Sequence, residues 1–272
     1  MYLINAKPMG YRNFNIPSLS NLVKLFSILA ALLISNVVAG ADFSVMRWRN
    51  IVVFSGKLTK ESVAEILVEL KRDSTEKLVI NSSGGNAAAA MQLGRAIREL
   101  SLNIEVQGLC TSSCANYVFP AGNRKRVAEG GLVTWHGGAL QSDFRQLVEK
   151  YRLITGLPNN ELTAEQKAWL KANAVTSQLL LSAQQEQTEF FNAIGLDERI
   201  TRLGQEPVDL GPSWTVTADT MKAFGILNVE LPPDYDTSDY VKRWSRQRGL
   251  TERVVLLRVD PKTGEVSVVG AP

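Results

Sequence analysis

The chain has 272 residues, 45% of them apolar and 21% charged, which suits one large folded unit and excludes disordered and collagen-like classes. Two cysteines and a single histidine exclude a disulfide-dense scaffold, a four-cysteine zinc site and a conventional histidine-based metal site. The net charge of +3 sits in residues 1–41, which carry Lys7, Arg12 and Lys24 and no acid; the remainder is balanced and offers no basic field to nucleic acid.

Residues 1–41 read as a targeting segment. A basic region precedes an apolar run from Leu25 to Val38, and Ala39-Gly40-Ala41 supplies the small-x-small pattern that signal peptidase cuts. The stretch Leu25 to Ala41 is near the lower limit of about 17 residues for a bilayer span, so an uncleaved anchor competes with cleavage after Ala41, the favoured reading. Both place the remainder outside the cytoplasm, in a periplasm-like space where two cysteines can be oxidised.

A β-rich run, "NIVVFSG" (50–56), opens the folded part. Thr59 is a plausible N-cap for the helix that follows, with Val63, Ile66, Leu67 and Leu70 at helical spacing. "KLVINSSGG" (77–85) is a strand running into a glycine turn, and "NAAAAMQLGRAIREL" (86–100) is helical. "NIEVQG" (103–108) reads as a strand, "SCANYVFPAG" as the start of another helix, and "RVAEGGLVTWHGG" as one or two short strands. Strands alternating with helices predict parallel β-α units. Then come an amphipathic helix (142–154), a long helix (163–195) with Gly195 as its C-cap, and a short helix within 215–226 closed by Gly225. "RVVLLRVDPKTGEVSVVG" (253–270) predicts a hairpin.

Three short motifs could carry chemistry. In "INSSGGN" a strand, two glycines and a helix start expose backbone N–H groups that suit an anion or a developing oxyanion, although a tight strand-to-helix connection needs nothing more. In "GLCTSSCA" a serine on a strand-to-helix turn is either an N-cap or a displayed nucleophile. His136 is the only histidine available as a base for such a serine; alone it reads as structural or exposed. Cys110 and Cys114, four apart, are either two small buried residues or a local disulfide, and a zinc site built on them and His136 lacks further ligands.

Taken together, "RNIVVFSGKL", "LVINSSGGN", "GLCTSSCANYVFPAGNRKRV" and "LVTWHGG" resemble, in order and spacing, the Clp protease catalytic subunit and its crotonase-like relatives. The nearest likeness is to exported Clp-like proteins with a Cys-x-Ser-x-Cys variant of the serine motif. The resemblance covers about 48–137 and 205–229. It implies an α/β fold, a Clp/crotonase-type spiral of β-α-β units spanning 42–240; a helical insertion at about 142–204 and a C-terminal hairpin extension at 241–272 depart from the family's pattern. It also implies a serine hydrolase, most simply a peptidase acting on peptide or protein, with no cofactor and no metal. Carried over residue by residue, Ser113 is the nucleophile, with Ser112 the neighbour that could be confused with it. His136 is the general base, and the oxyanion hole is Gly84 and the N–H of Cys114. Asp209 orients the histidine, with Glu206 and Asp219 as fallbacks. An oxidised Cys110–Cys114 pair would fix the serine turn. The long segment between His136 and Asp209 puts ring assembly in doubt, so a homo-oligomer stays open, and export argues against an ATPase partner. The rivals are a non-catalytic scaffold of the same fold and, last, acyl-CoA chemistry of the crotonase kind.

Overall fold

The computed structural model describes residues 42–207, 209–248 and 254–270. The leader, and with it the choice between cleavage and anchorage, lies outside the described residues. Among the described residues no helix is long and apolar enough to cross a membrane. Residues 42–272 form one compact unit, so the region from 241 onward belongs to the same body as the strands before it.

The first sheet is built as the alternating pattern predicts. Strands β2 (Ile51–Gly56), β3 (Lys77–Ser82) and β4 (Asn103–Thr111) pair in parallel, linked by helices α1 (Lys60–Leu70) and α2 (Ala87–Glu99). Thr59 caps α1 by accepting from the Ser62 N–H, and the Ser62 hydroxyl accepts from Thr59 N–H, a reciprocal pair that satisfies two orphan donors. Asn86 caps α2 through the Ala89 N–H. Val52, Phe54, Leu78, Ile80, Ile104 and Val106 share one face of these strands by their period of two, and all are buried. Against them lie Val63, Ile66 and Leu70 of α1 and Met91, Leu93 and Ile97 of α2.

Four features went beyond the sequence reading. Strand β1 (Phe43–Trp48) precedes β2 and pairs with it antiparallel, turning back at Arg49 and Asn50. Strands β5 (Lys125–Val127) and β6 (Leu132–Thr134) both pair with β4, β5 along Ile104–Val106 and β6 along Leu109–Thr111, so the sheet divides near Gly108. The segment read as the start of a helix at 113–122 is helical but short and irregular: a π-helical turn, Cys114–Val118, runs into a 3-10 turn, Phe119–Ala121, and Pro120 with Gly122 stops any continuation. Helices α3 (Ser142–Thr155) and α4 (Ala164–Ile194) follow, the latter capped by Thr163 and ended by Gly195 in the left-handed region at φ +71. After them come β7 (Ser213–Val216), α5 (Ala218–Ala223), β8 (Val229–Glu230), α6 (Ser238–Gln247), β9 (Val254–Val259) and β10 (Val266–Val268). The predicted hairpin is β9–β10, antiparallel, and it is integrated: β9 pairs in parallel with β7 to make a second, three-stranded sheet, and Leu256 and Leu257 are buried. The two sheets meet where Trp135 and Trp214, both fully buried, exchange backbone hydrogen bonds of 2.7 and 2.8 Å.

At the opposite end of the sheet from the serine turn, Lys125 is buried and donates to the carbonyls of Gly122 and Leu227. Burial, with Arg98 nearby, pushes its ammonium down to about 8. An unfolded lysine titrates near ~10.4. Between these values the unfolded chain holds more protons than the folded one, so stability rises with pH through that window. Urea midpoints measured from pH 7 to 10 should rise for the wild type and lose that rise in Lys125→Met.

Candidate functional site

Strand β4 ends at Thr111, whose hydroxyl accepts a 2.6 Å hydrogen bond from Thr134 of β6. The Ser112 N–H donates to the Thr134 carbonyl at 3.2 Å. The chain then breaks sharply, with Ser112 at φ +59 in the left-handed region that disfavours any side chain by roughly 1–2 kcal/mol. Ser113 returns to helical angles, and the Asn116 N–H closes the turn on the Ser112 carbonyl. A disulfide joins Cys110 to Cys114, with Cα atoms 5.3 Å apart and both residues fully buried. It brackets Ser112 two residues on either side. The closed loop is short, so opening it costs about 2 kcal/mol in the chain-entropy picture. Cys110→Ala/Cys114→Ala should lower the unfolding free energy by that amount in urea titration.

The diglycine turn faces this elbow. Gly84 lies at φ +81, and a Cβ there would come within 2.6 Å of the Thr111 carbonyl oxygen, 2.8 Å of Ser112 Cβ and 3.0 Å of the Ser113 nitrogen. Only glycine lets the two turns approach so closely. The Gly84 N–H is spent on Ser82 Oγ at 3.0 Å. To serve an oxyanion, as the resemblance implies, it must leave that partner.

The two serines have opposite environments. Ser113 is buried, and its Oγ has no hydrogen-bond partner among the described residues. Ser112 is partly exposed. The residue matched to the nucleophile thus turns inward, and its neighbour is the more exposed one.

His136 follows the Trp135–Trp214 bridge and is exposed. Its loop is clamped through the backbone. Gln205 Nε2 donates to the His136 carbonyl at 3.2 Å, Asn116 Nδ2 donates to the Gly137 carbonyl at 2.9 Å, and the Ala139 N–H donates to Gln187 Oε1 at 2.9 Å. The elbow and the histidine loop are therefore tied together by Asn116, three residues beyond Ser113. Gln187, fully buried in α4, also accepts from the Tyr117 hydroxyl at 2.9 Å and donates weakly to Glu198. Burial, together with the charges of Glu198 and Glu186, raises that phenol above its ordinary range, so it stays a neutral donor. Tyr117→Phe should cost about 1 kcal/mol by thermal unfolding, the net worth of one hydrogen bond.

Among the described residues no carboxylate is hydrogen-bonded to the imidazole. Among the described residues the His136 side chain makes no hydrogen bond, with Ser112, Ser113 or any acid. Asp209 is exposed and accepts from the Gly211 N–H at 3.1 Å, a local turn contact. Glu206 is held by Arg145 and Arg202, and Asp219 is exposed in the first turn of α5. The sequence could not separate an orienting acid from a loop acid; in the structure Asp209 makes a local hydrogen bond and Glu206 pairs with two arginines. The residues that sequence reasoning missed are Asn116, Gln187 and Gln205. Only Gln187 left a trace: a glutamine at the same helical phase as Gln184, Phe191 and Ile194, where an apolar residue belongs. Among the described residues no cluster of three histidine, cysteine, aspartate or glutamate side chains could hold a metal ion.

No protein-family model matches the chain, and no curated protein is significantly similar to it.

Proposed function

We propose that the chain is an exported serine hydrolase, most simply a peptidase, in which Ser112 is the nucleophile and His136 the general base. One observation carries the reading: Ser112 stands at φ +59 on an elbow bracketed by a disulfide and seated against a glycine that tolerates no side chain. Strained non-glycine backbone of this kind persists where the surroundings enforce it, and it concentrates at active sites. In the reaction Ser112 Oγ attacks a carbonyl carbon while His136 takes its proton and then returns it to the leaving amine. The developing oxyanion falls to the Ser113 N–H, 3.0 Å from where a Gly84 side chain would begin, and to the diglycine turn beside it. Serine–histidine hydrogen bonds in resting enzymes are often long and tighten with substrate. Orientation of the histidine falls to the clamps from Gln205 and Asn116 in place of Asp209.

The finer fold reading, a Clp-type spiral of β-α-β units, is supported by the division of β4 between β5 and β6 and by the turn into a second sheet at Trp135. Export is supported by the basic, acid-free leader and by the disulfide. A second reading, a non-catalytic scaffold, is favoured by the unpartnered imidazole. A fluorophosphonate probe, with the adduct located by mass spectrometry, decides. An adduct on Ser112 that is lost in Ser112→Ala and His136→Ala and kept in Ser113→Ala supports the hydrolase. An adduct on Ser113 returns the nucleophile to that position, and a folded chain without any adduct supports the scaffold.

A further inference from the structure

The segment Glu198–Glu206 has two tasks. Toward the histidine loop, Gln205 donates to the His136 carbonyl, and Thr201 lies so close to Gly138 that a Cβ there would sit 3.1 Å from the threonine Cβ. The same segment also walls a cavity of about 420 Å³. That volume lies within the range of roughly 300–1,000 Å³ typical of small-molecule sites. Its apolar lining includes Leu203, Pro207, Phe224, Val259 and Val266, the last two from β9 and β10.

The charged groups at the cavity are unequal: Arg199 and Arg202 against Glu206. Glu206 is shared between Arg202 and Arg145, so its charge is already committed. Arg202 Nη1 is buried and has no hydrogen-bond partner among the described residues. That edge of the guanidinium is sealed, so what Arg202 offers a ligand in the cavity is its positive charge, which favours an anionic oxygen. Arg199 lies with its guanidinium 5.9 Å from the centre of the Phe224 ring and pairs with Asp197, which leaves its outer edge toward solvent. Guanidinium groups over an apolar floor suit a chain or ring that carries a carboxylate.

We propose that this cavity binds a small apolar carboxylate, and that its occupancy shifts the His136 loop through Thr201 and Gln205. The site goes beyond the hydrolase reading, because binding needs no catalysis. Such a carboxylate has two sources: a free fatty acid, or the C-terminal residue of a peptide fragment.

His136 is the only histidine in the chain, so the untagged full-length protein has one imidazole to follow by NMR. Decanoate and N-acetyl-phenylalanine would be titrated separately, with decyltrimethylammonium as the cationic control of equal chain length and calorimetry alongside. The expected result is saturable heat and a saturable shift of the His136 signals with one of the two carboxylates, which identifies the source, and little with the cation. Val266→Phe, which fills the cavity from β10, should weaken binding at least about tenfold, and Arg199→Gln, an exposed change that spares the fold, about threefold. Absence of saturable binding by both carboxylates overturns the proposal. So does equal binding of the cation, or unchanged affinity in both variants. Heat without a His136 shift overturns the coupling to the loop.

Discussion

Ser112→Ala should reduce hydrolysis to the level left by binding and the oxyanion donors alone, a fall of roughly six orders of magnitude in kcat if the chain performs serine-type acyl transfer. Ser113→Ala should do the reverse of what its place beside the disulfide suggests. Its hydroxyl is buried without a partner, and an unsatisfied buried hydroxyl costs about 1–3 kcal/mol. Removing it relieves that cost and leaves a void of one oxygen atom, so the variant should be as stable as the wild type or more so, and should keep its activity. The pair separates the two serines more sharply than either substitution alone, because a general loss of the elbow would lower both activity and stability in both variants. Progress curves with a chromogenic ester, read beside urea midpoints, make the comparison. Activity lost in Ser113→Ala and kept in Ser112→Ala would falsify the assignment of the displayed serine.

Phe190→Ala should cost about 3–5 kcal/mol of stability. Phe190 is fully buried near the end of α4, edge-on to Tyr117 with ring centres 5.5 Å apart and to Phe191 at 5.7 Å. It sits on Gly94 of α2 so tightly that a Cβ on that glycine would approach its ring to 2.9 Å. Two helices and the wide turn after the elbow converge on this ring, so little can collapse into the space it vacates. Chemical denaturation measures the loss. The effect should also reach the site, because Tyr117 shares its partner Gln187 with the Ala139 N–H of the histidine loop.

How much of this was legible beforehand follows from the range of the forces involved. The parallel β2–α1–β3–α2–β4 run was readable because each element carries its own signal: a cap at Thr59 or Asn86, a period of two in the strands, a period near 3.6 in the helices. The limits of α4 were readable from Thr163 and Gly195 for the same reason. Strand β1 was not, since its exposed residues include Met46 and Trp48, which blur the alternation. The helical character of 114–121 was readable, but its π and 3-10 form was not. Pro120 and the disulfide shape it in ways that composition does not register. At the site, the serine pair, the glycine turn and the histidine were all identifiable by type and order. Which serine is the more exposed was not. Asp209 could not be judged either, because whether a loop acid turns to its own backbone, as here to the Gly211 N–H, or to a distant group is set by packing that its sequence does not encode locally.

The parallel pairing of β7 with β9 bears on how the chain matures. Strand β7 at Ser213–Val216 has no neighbour on that side until Val254–Val259 arrives some forty residues later. During synthesis the second sheet stays open until that last stretch emerges. The earlier β-α units are complete by then, while the Trp135–Trp214 junction still waits for its support. A chain interrupted before Val254 would therefore present a finished first layer with an unpaired strand edge, the form most prone to association with other chains.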